Sequence, residues 1–442
     1  MTLVRRSSRI ALRLALSAAL LWSAAACEVY DGDLPPVDEL QTPIGLAVHP
    51  TGKYLYVLNS NYQSLYRQDL GGTVSVIDLE DFQILEDKTV CLPSFGAGLT
   101  FSTTHYAEDE PRYLLALTKA NRGGIVLALN EEGDTLQCNY EGNAIGNTCV
   151  DDIASLPGVS KKRRYLPCEV RNMMDDPSSA ATIPPIENVT PMEQDAFVVV
   201  GQRDGTVRAL NLVDGEIRGH DVQGAQQPSR HLSTKDMRLL PGADAVATHP
   251  LTGENYVGAR FDRRIFSLRW LREPVVSPEV NPRQGFANHV ARTGGVQISS
   301  GFSSLEIRAL KFNRDGSRLY ATSQSPSSFI EINTSLDEDG KAYNQPIRRV
   351  QLPGRPGSLD LMEVGGKTYA YVALFGLRQV AVIDVEAGAR IATVDVGATP
   401  YTVVADPVRP RIYVALFEEN AVAVIDADPT RPTWNRQIAT IR

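Results

Sequence analysis

Few side chains in this sequence offer obvious chemistry, and the cysteines come first. There are five: Cys27, Cys91, Cys138, Cys149 and Cys168. The gaps after Cys91 are 47, 11 and 19 residues. A structural zinc site wants paired C-x-x-C spacing and neutral histidines, which these gaps do not supply. Cys91, Cys138, Cys149 and Cys168 are therefore expected to form two disulfides in an oxidising compartment. An odd total leaves Cys27 over and asks for a separate role. Spacing does not fix the connectivity. Cys138–Cys149 with Cys91–Cys168 is a weak preference, because the first pair closes a short local loop.

Other candidates weaken on inspection. His49 and His249 precede a proline at the same phase of a repeat. They could be two ligands around a channel mouth, but turn formation at a strand corner is the expectation. Ser335–Gly340 brushes against a calcium loop, yet Pro346 stands where a bidentate Glu is needed. It reads as a turn. Lys161, Lys162, Arg163 and Arg164, followed by Tyr165, form a basic run, which in isolation is most often a solvated face. There is no C-x-x-C-H, phosphate loop, G-x-S-x-G or H-E-x-x-H motif. No cofactor and no metal are expected.

Charge narrows the partners. The chain carries 44 basic and 52 acidic residues, a net charge of −8. That balance argues against nucleic acid and against unassisted binding to anionic lipid.

The elements that must position these residues repeat. Tyr369–Phe375 followed by Gln379–Val385 matches Ile412–Phe417 followed by Ala421–Ala427, and Tyr371 and Tyr413 are 42 residues apart. Within each period, short runs rich in Val, Ile, Tyr and Thr lie between Gly, Pro, Asn and Asp clusters, which is strand and turn chemistry. Four strands in about 40 residues, repeated, predict a β-propeller blade. Seven blades are expected over 42–442, each of four antiparallel strands, with a mostly irregular insertion at about 140–193 that hides an inner strand for the third blade near its end, and a second irregular stretch at Glu273–Gly295. Tyr56, Tyr371, Tyr413, Phe375 and Phe417 read as packing between blades. Asp78, Asp384 and Asp426, recurring in Val-Ile-Asp, read as acceptors in turns.

Thr42–Asn59 followed by Gly72–Asp78 resembles the YVTN-type β-propeller repeat, with its P-x-G-[VI]-A start and T-V-S-V-I-D strand. The resemblance implies the propeller and a periplasmic or surface setting, and no single reaction. Residues 1–26 read as a secretory signal peptide: Arg5, Arg6, Arg9 and Arg13 precede an apolar run ending in Ala24-Ala25-Ala26. The small residues before Cys27 resemble a bacterial lipobox, which implies a lipidated Cys27 and an outer-membrane anchor. Residues 27–41 read as an acidic tether. The remaining chain would carry 40 basic and 52 acidic residues, net −12.

Function follows from the loops. In a propeller, loops from the second to the third strand share a face with the connections between blades. Val57 to Asp78 spans 21 residues, against 12 from Val372 to Asp384, so the first blade carries a long loop on that face. Tyr62, Tyr66 and Arg67 lie on it, and the insertion bearing Lys161–Tyr165 emerges on the same side. Long loops on a rigid scaffold usually carry binding. The expectation is a monomeric, non-catalytic envelope module that binds proteins or glycans. The alternative is a lactonase-like hydrolase with its site at the channel mouth.

Overall fold

The computed structural model describes residues 32–102, 113–140, 143–171, 173–174, 176–183, 196–201, 205, 207–213, 216–217, 242–274, 286–298 and 305–442. The expected signal peptide and Cys27 lie outside them. Every described strand belongs to an antiparallel sheet, and apart from β10 the strands of each sheet follow chain order from the centre outward. The first sheet holds β1 (Pro43–Val48), β2 (Tyr54–Asn59), β3 (Gly72–Asp78) and β4 (Val90–Leu92). The second holds β5 (Gly96–Phe101), β6 (Tyr113–Thr118), β7 (Gly123–Leu129), β8 (Leu136–Tyr140), β9 (Asn143–Ile145) and β10 (Glu169–Val170). The third holds β11 (Pro177–Ile183), β12 (Ala196–Gly201), β13 (Val207–Val213) and β14 (Glu216–Ile217). The fourth holds β15 (Ala243–Thr248), β16 (Asn255–Ala259), β17 (Arg264–Pro274) and β18 (Phe286–Gln297). The fifth holds β19 (Ile307–Phe312), β20 (Arg318–Gln324), β21 (Ser327–Asn333) and β22 (Gln345–Gln351). The sixth holds β23 (Arg355–Val364), β24 (Lys367–Phe375), β25 (Gln379–Asp384) and β26 (Ala389–Asp395). The last holds β27 (Pro400–Ala405), β28 (Arg411–Leu416), β29 (Ala421–Asp426) and β30 (Arg436–Ile441).

The first strands of the sheets, β1, β5, β11, β15, β19, β23 and β27, each touch the next, and β27 touches β1. This closes a propeller. The expectation of seven equal four-stranded blades is corrected: six sheets have four strands and the second has six. The insertion interrupts that sheet's outer edge. β8 pairs with β7 only at Ala128 and Leu129, and β10 returns to cover Ile125 and Gly124.

Two stretches expected to be irregular contain strands. The later part of the insertion supplies β10, which was not expected, and the inner strand β11, in line with the inner strand expected near its end. Much of Glu273–Gly295 belongs to a hairpin in which β17 and β18 pair from Arg264 with Gln297 to Pro274 with Phe286. Pro274, Pro278 and Pro282 and the closing Gly294-Gly295 hid the strand period. The described part of the expected tether is fixed to the first sheet. Asp33 O accepts from Arg67 N at 3.3 Å, Val37 O accepts from Thr89 Oγ1 at 3.2 Å, and Leu40 is buried.

Packing between sheets forms the core. One cluster joins Leu40, Leu46, Val57 and Ile77 to Tyr413, Val422 and Val424, sealing the last sheet against the first. Each such buried side chain contributes roughly 1.5–3 kcal/mol. Among the described residues no strand is shared across that seam. Hydrogen bonds reinforce it: Thr42 N donates to Asn420 Oδ1 at 2.8 Å, and Arg409 Nη1 donates to Leu79 O at 3.0 Å.

The recurring tyrosines explain how sheets stay in register. Tyr56 donates to Gly133 O, Tyr256 to Asn344 Oδ1 at 2.8 Å, and Tyr371 to Asn435 Oδ1 at 2.8 Å. Each bond runs from a second strand to the outer turn of the following sheet. Burial pushes the Tyr256, Tyr371 and Tyr413 phenols well above their ordinary range, so they stay protonated donors. His49 and His249 sit at the same corners, both buried. His49 Nδ1 pairs with Thr51 Oγ1 at 2.8 Å, and His249 Nδ1 accepts from Leu251 N at 3.2 Å. They are corner residues. Asp78, Asp384 and Asp426 accept from the backbone N–H groups of Glu80, Ala387 and Asp428, as turn residues should. Asp337 does the same for Asp339 and Lys341.

Candidate binding face

The opposite face carries the loops between second and third strands and the connections between sheets. Asn61, buried and at φ 47°, builds the long loop of the first sheet. Its Nδ2 donates to Tyr66 O at 3.1 Å and to Ser94 Oγ at 2.8 Å, while its Oδ1 accepts from Leu65 N and Tyr66 N. The small side-chain amide replaces backbone partners that a loop lacks.

The sequence candidates divide by what they touch. Arg67 Nε and Nη2 clamp Asp69 at 2.9 and 2.8 Å, and Nη1 donates to Asp151 O at 2.7 Å. Arg67 therefore ties the long loop to the insertion. Arg163 lies 4.6 Å over the Tyr165 ring, with Arg171 at 5.2 Å, so both Arg163 and Tyr165 serve internal packing. Tyr66 is half-buried, and burial with the nearby Glu39 raises its phenol. Tyr62, Lys161, Lys162 and Arg164 are exposed.

Two disulfides hold this region: Cys91–Cys149 and Cys138–Cys168. The preferred pairing of Cys138 with Cys149 is corrected. The β8–β9 hairpin sets Cys138 opposite Ile145 and carries the chain past it toward β4. There Thr148 Oγ1 donates to Cys91 O at 2.7 Å, and Cys149 meets Cys91. Cys168 arrives beside Cys138 just before β10. Glu169 Oε1 then accepts from Asn121 Nδ2 at 3.1 Å and pairs with Arg171. Burial nevertheless raises the Glu169 carboxyl.

Sequence reasoning named the channel mouth only as the alternative site and missed the residues that line it. All the inner strands line a cavity of about 550 Å³. The ladder slips near the start of each inner strand, between Pro43/Gly45, Gly96/Gly98, Pro177/Ser179, Ala243/Ala245, Ile307/Ala309, Pro356/Leu359 and Pro400/Val403. Such bulges free a residue from pairing and re-aim it. Asp244, Arg308 and Tyr401 are freed in this way and line the cavity. A residue at positive φ precedes each inner strand: Thr42, Phe95, Asp176, Gly242, Glu306, Gly354 and Thr399. The signal was available as a fixed repeat phase at which residue type changes from sheet to sheet.

The mouth has two unlike arcs. Asp244 Oδ2 takes Arg308 Nη1 at 2.6 Å and Arg260 Nε at 3.1 Å. Arg355 touches Gln324 Oε1 at 3.4 Å. Adjoining these is an aromatic run in edge and stacked contacts: Phe375 to Tyr401 at 6.4 Å, Tyr401 to Phe417 at 6.0 Å, and Phe417 to Tyr62 at 5.4 Å. Phe375 thus borders the mouth, where inter-blade packing was expected, while Phe417 packs against the core of the first two sheets, as expected. Among the described residues no group of three His, Cys, Asp or Glu side chains could hold a metal ion.

No known sequence family and no curated protein matches this chain. Solved structures do. Hydrazine synthase from Kuenenia stuttgartiensis matches at TM-score 0.52 and 14% identity, over 88% of this chain and 96% of that one. The Cps50 (Swd1) β-propeller domain from Myceliophteria thermophila matches at TM-score 0.53 and 11% identity, over 87% and 97%. At such identities the likeness is one of fold, and it establishes this chain as a β-propeller.

Proposed function

We propose that this chain is an exported β-propeller that binds a protein or glycan partner on the face carrying the long loop and the insertion. The YVTN-like repeat, the leader-like N-terminus and the two disulfides support export, and we assign Cys27 as the lipid anchor to the outer membrane. The observation that carries the binding reading is the bond from Arg67 to Asp151 O. It joins two departures from the repeat into one continuous surface, and the disulfides fix it. Preorganised loops lose little entropy on binding.

Deleting residues 140–193 is a poor test, since it removes β11 and two disulfide cysteines. Tyr62 and Val408 allow a cleaner one. Both are 64% exposed, and they lie on opposite faces. A photo-crosslinking amino acid at Tyr62 in intact cells should give a discrete adduct that the same group at Val408 does not. Equal yields from the two positions would sink the assignment of the face.

A further inference from the structure

We infer that the channel mouth is a binding site for a small aromatic carboxylate, distinct from the macromolecular surface around it. The cavity, about 550 Å³, lies in the range that encloses small ligands. Its charge is opposite to that of the protein. Lys119, Arg260, Arg308 and Arg355 line it, with Asp244 and Glu306 as the only acids among its lining residues. The chain as a whole is net −8. Asp244 answers two guanidiniums through one Nη1 and one Nε, and a guanidinium has five donors. Arg355 has no carboxylate partner among the described residues. A planar fork of this kind matches a carboxylate in bidentate fashion.

The ring-binding half adjoins it. Arg355 and Phe375 are direct partners across β23 and β24, so cation and aromatic ring begin at one place. Phe375 is 38% exposed, and its edge contact with Tyr401 continues the aromatic surface across the sheet boundary. A carboxylate held by Arg355 and Arg308 would lay its ring toward Phe375 and Tyr401. Offset or edge contacts of that sort add about 0.5–1.5 kcal/mol beyond simple burial.

Isothermal titration of the disulfide-intact chain, from Cys27 onward, with benzoate, 4-hydroxybenzoate, phenylpyruvate and 2-naphthoate tests this. At least one should bind at a single site, and its primary amide should bind at least about tenfold more weakly, the loss expected from one charge-assisted hydrogen bond. Arg355→Ala and Tyr401→Ala should each weaken binding about tenfold, while acetate should not saturate the site. Arg355 is exposed, so its replacement leaves the fold intact, and melting temperature checks this. No heat from any of the four acids at millimolar concentration overturns the inference, as does equal binding of acid and amide. Unchanged binding in both variants overturns it too. Val408→Ala, on the opposite face, should leave the titration unchanged; the crosslinking test reads the outer loops and not the mouth, so failure here and failure there are separate results.

Discussion

The two faces of this propeller are built by opposite rules. On the face of first-to-second strand corners, one solution recurs: His49, His249, Asp406 and Asn313 cap corners at the same phase, and the hydroxyls of Tyr56, Tyr256 and Tyr371 each reach the next sheet. On the other face the common element is only a backbone device, a left-handed residue followed by a bulge. What that device presents differs in every sheet, from Ser178 to Asp244 to Arg308 to Tyr401. Repetition marks the face that closes the ring, and variation marks the face available for recognition. Substitutions on the first face should therefore cost stability, and those at the second should cost binding.

Asp406 gives the largest expected effect. Its side chain is fully buried and accepts from Val408 N, Arg409 N, Arg409 Nε and Tyr413 Oη. Arg409 in turn donates to Gly52 O and Leu79 O on the first sheet. Asp406→Ala breaks a charge pair at the ring seam and strands three groups. It should destabilise the chain by about 3 kcal/mol or more, read as a lower melting temperature in calorimetry. A loss smaller than that from removing an exposed charge such as Lys161 would break the contrast between the faces.

The disulfide Cys138–Cys168 tests whether the binding face depends on its staples. It closes a loop of sequence separation 30 and joins the two halves of a split outer strand. Replacing both cysteines by alanine should cost about 2–4 kcal/mol. Cleavage by trypsin after the Lys161–Arg164 run should quicken more than at sites in the last two sheets. Uniform quickening along the chain would mean that the staple stabilises the whole ring, and would blur the distinction.

Much of this was legible in the sequence where the repeat was strong. The strands of the last two sheets fall where Tyr369–Phe375, Gln379–Val385, Arg411–Phe417 and Ala421–Ile425 placed them, because alternation and turn residues agree there. Corner and turn roles for His49, His249, Asp78, Asp384 and Asp426 followed from phase alone. The outer edge of the second sheet was not legible, since pairing between β7 and β10 is set by a return of the chain across dozens of residues. For the same reason the cysteine pairing was missed: a hairpin one turn long decides which thiols meet. The residues lining the mouth were missed because a bulge shifts register by a single residue, which reverses the side a residue faces.

The smallest expected effect concerns pH and the corner face. His249 Nδ1 accepts from Leu251 N and Thr252 N, and Nε2 faces Thr334 O at 3.4 Å. That arrangement suits the neutral ring with its proton on Nε2. Burial lowers the His249 pKa below 6.5, outweighing the Thr334 and Gly316 carbonyls and Asp315, which act in the other direction. In the unfolded chain the imidazole titrates near its ordinary value, so as pH falls through about 6.5 the unfolded state takes up a proton that the folded state refuses. The stability contributed by the neutral ring is thus full above that pH and declines toward the lowered folded value. Asn313 holds the same phase in the fifth sheet, where its Oδ1 accepts from Arg318 N at 2.9 Å, so His249→Asn borrows the repeat's own alternative. Melting temperature should fall from pH 7 to pH 5 more steeply in the parent chain than in His249→Asn. Parallel slopes would show that this corner does not titrate, leaving the acid sensitivity of the fold to its carboxylates.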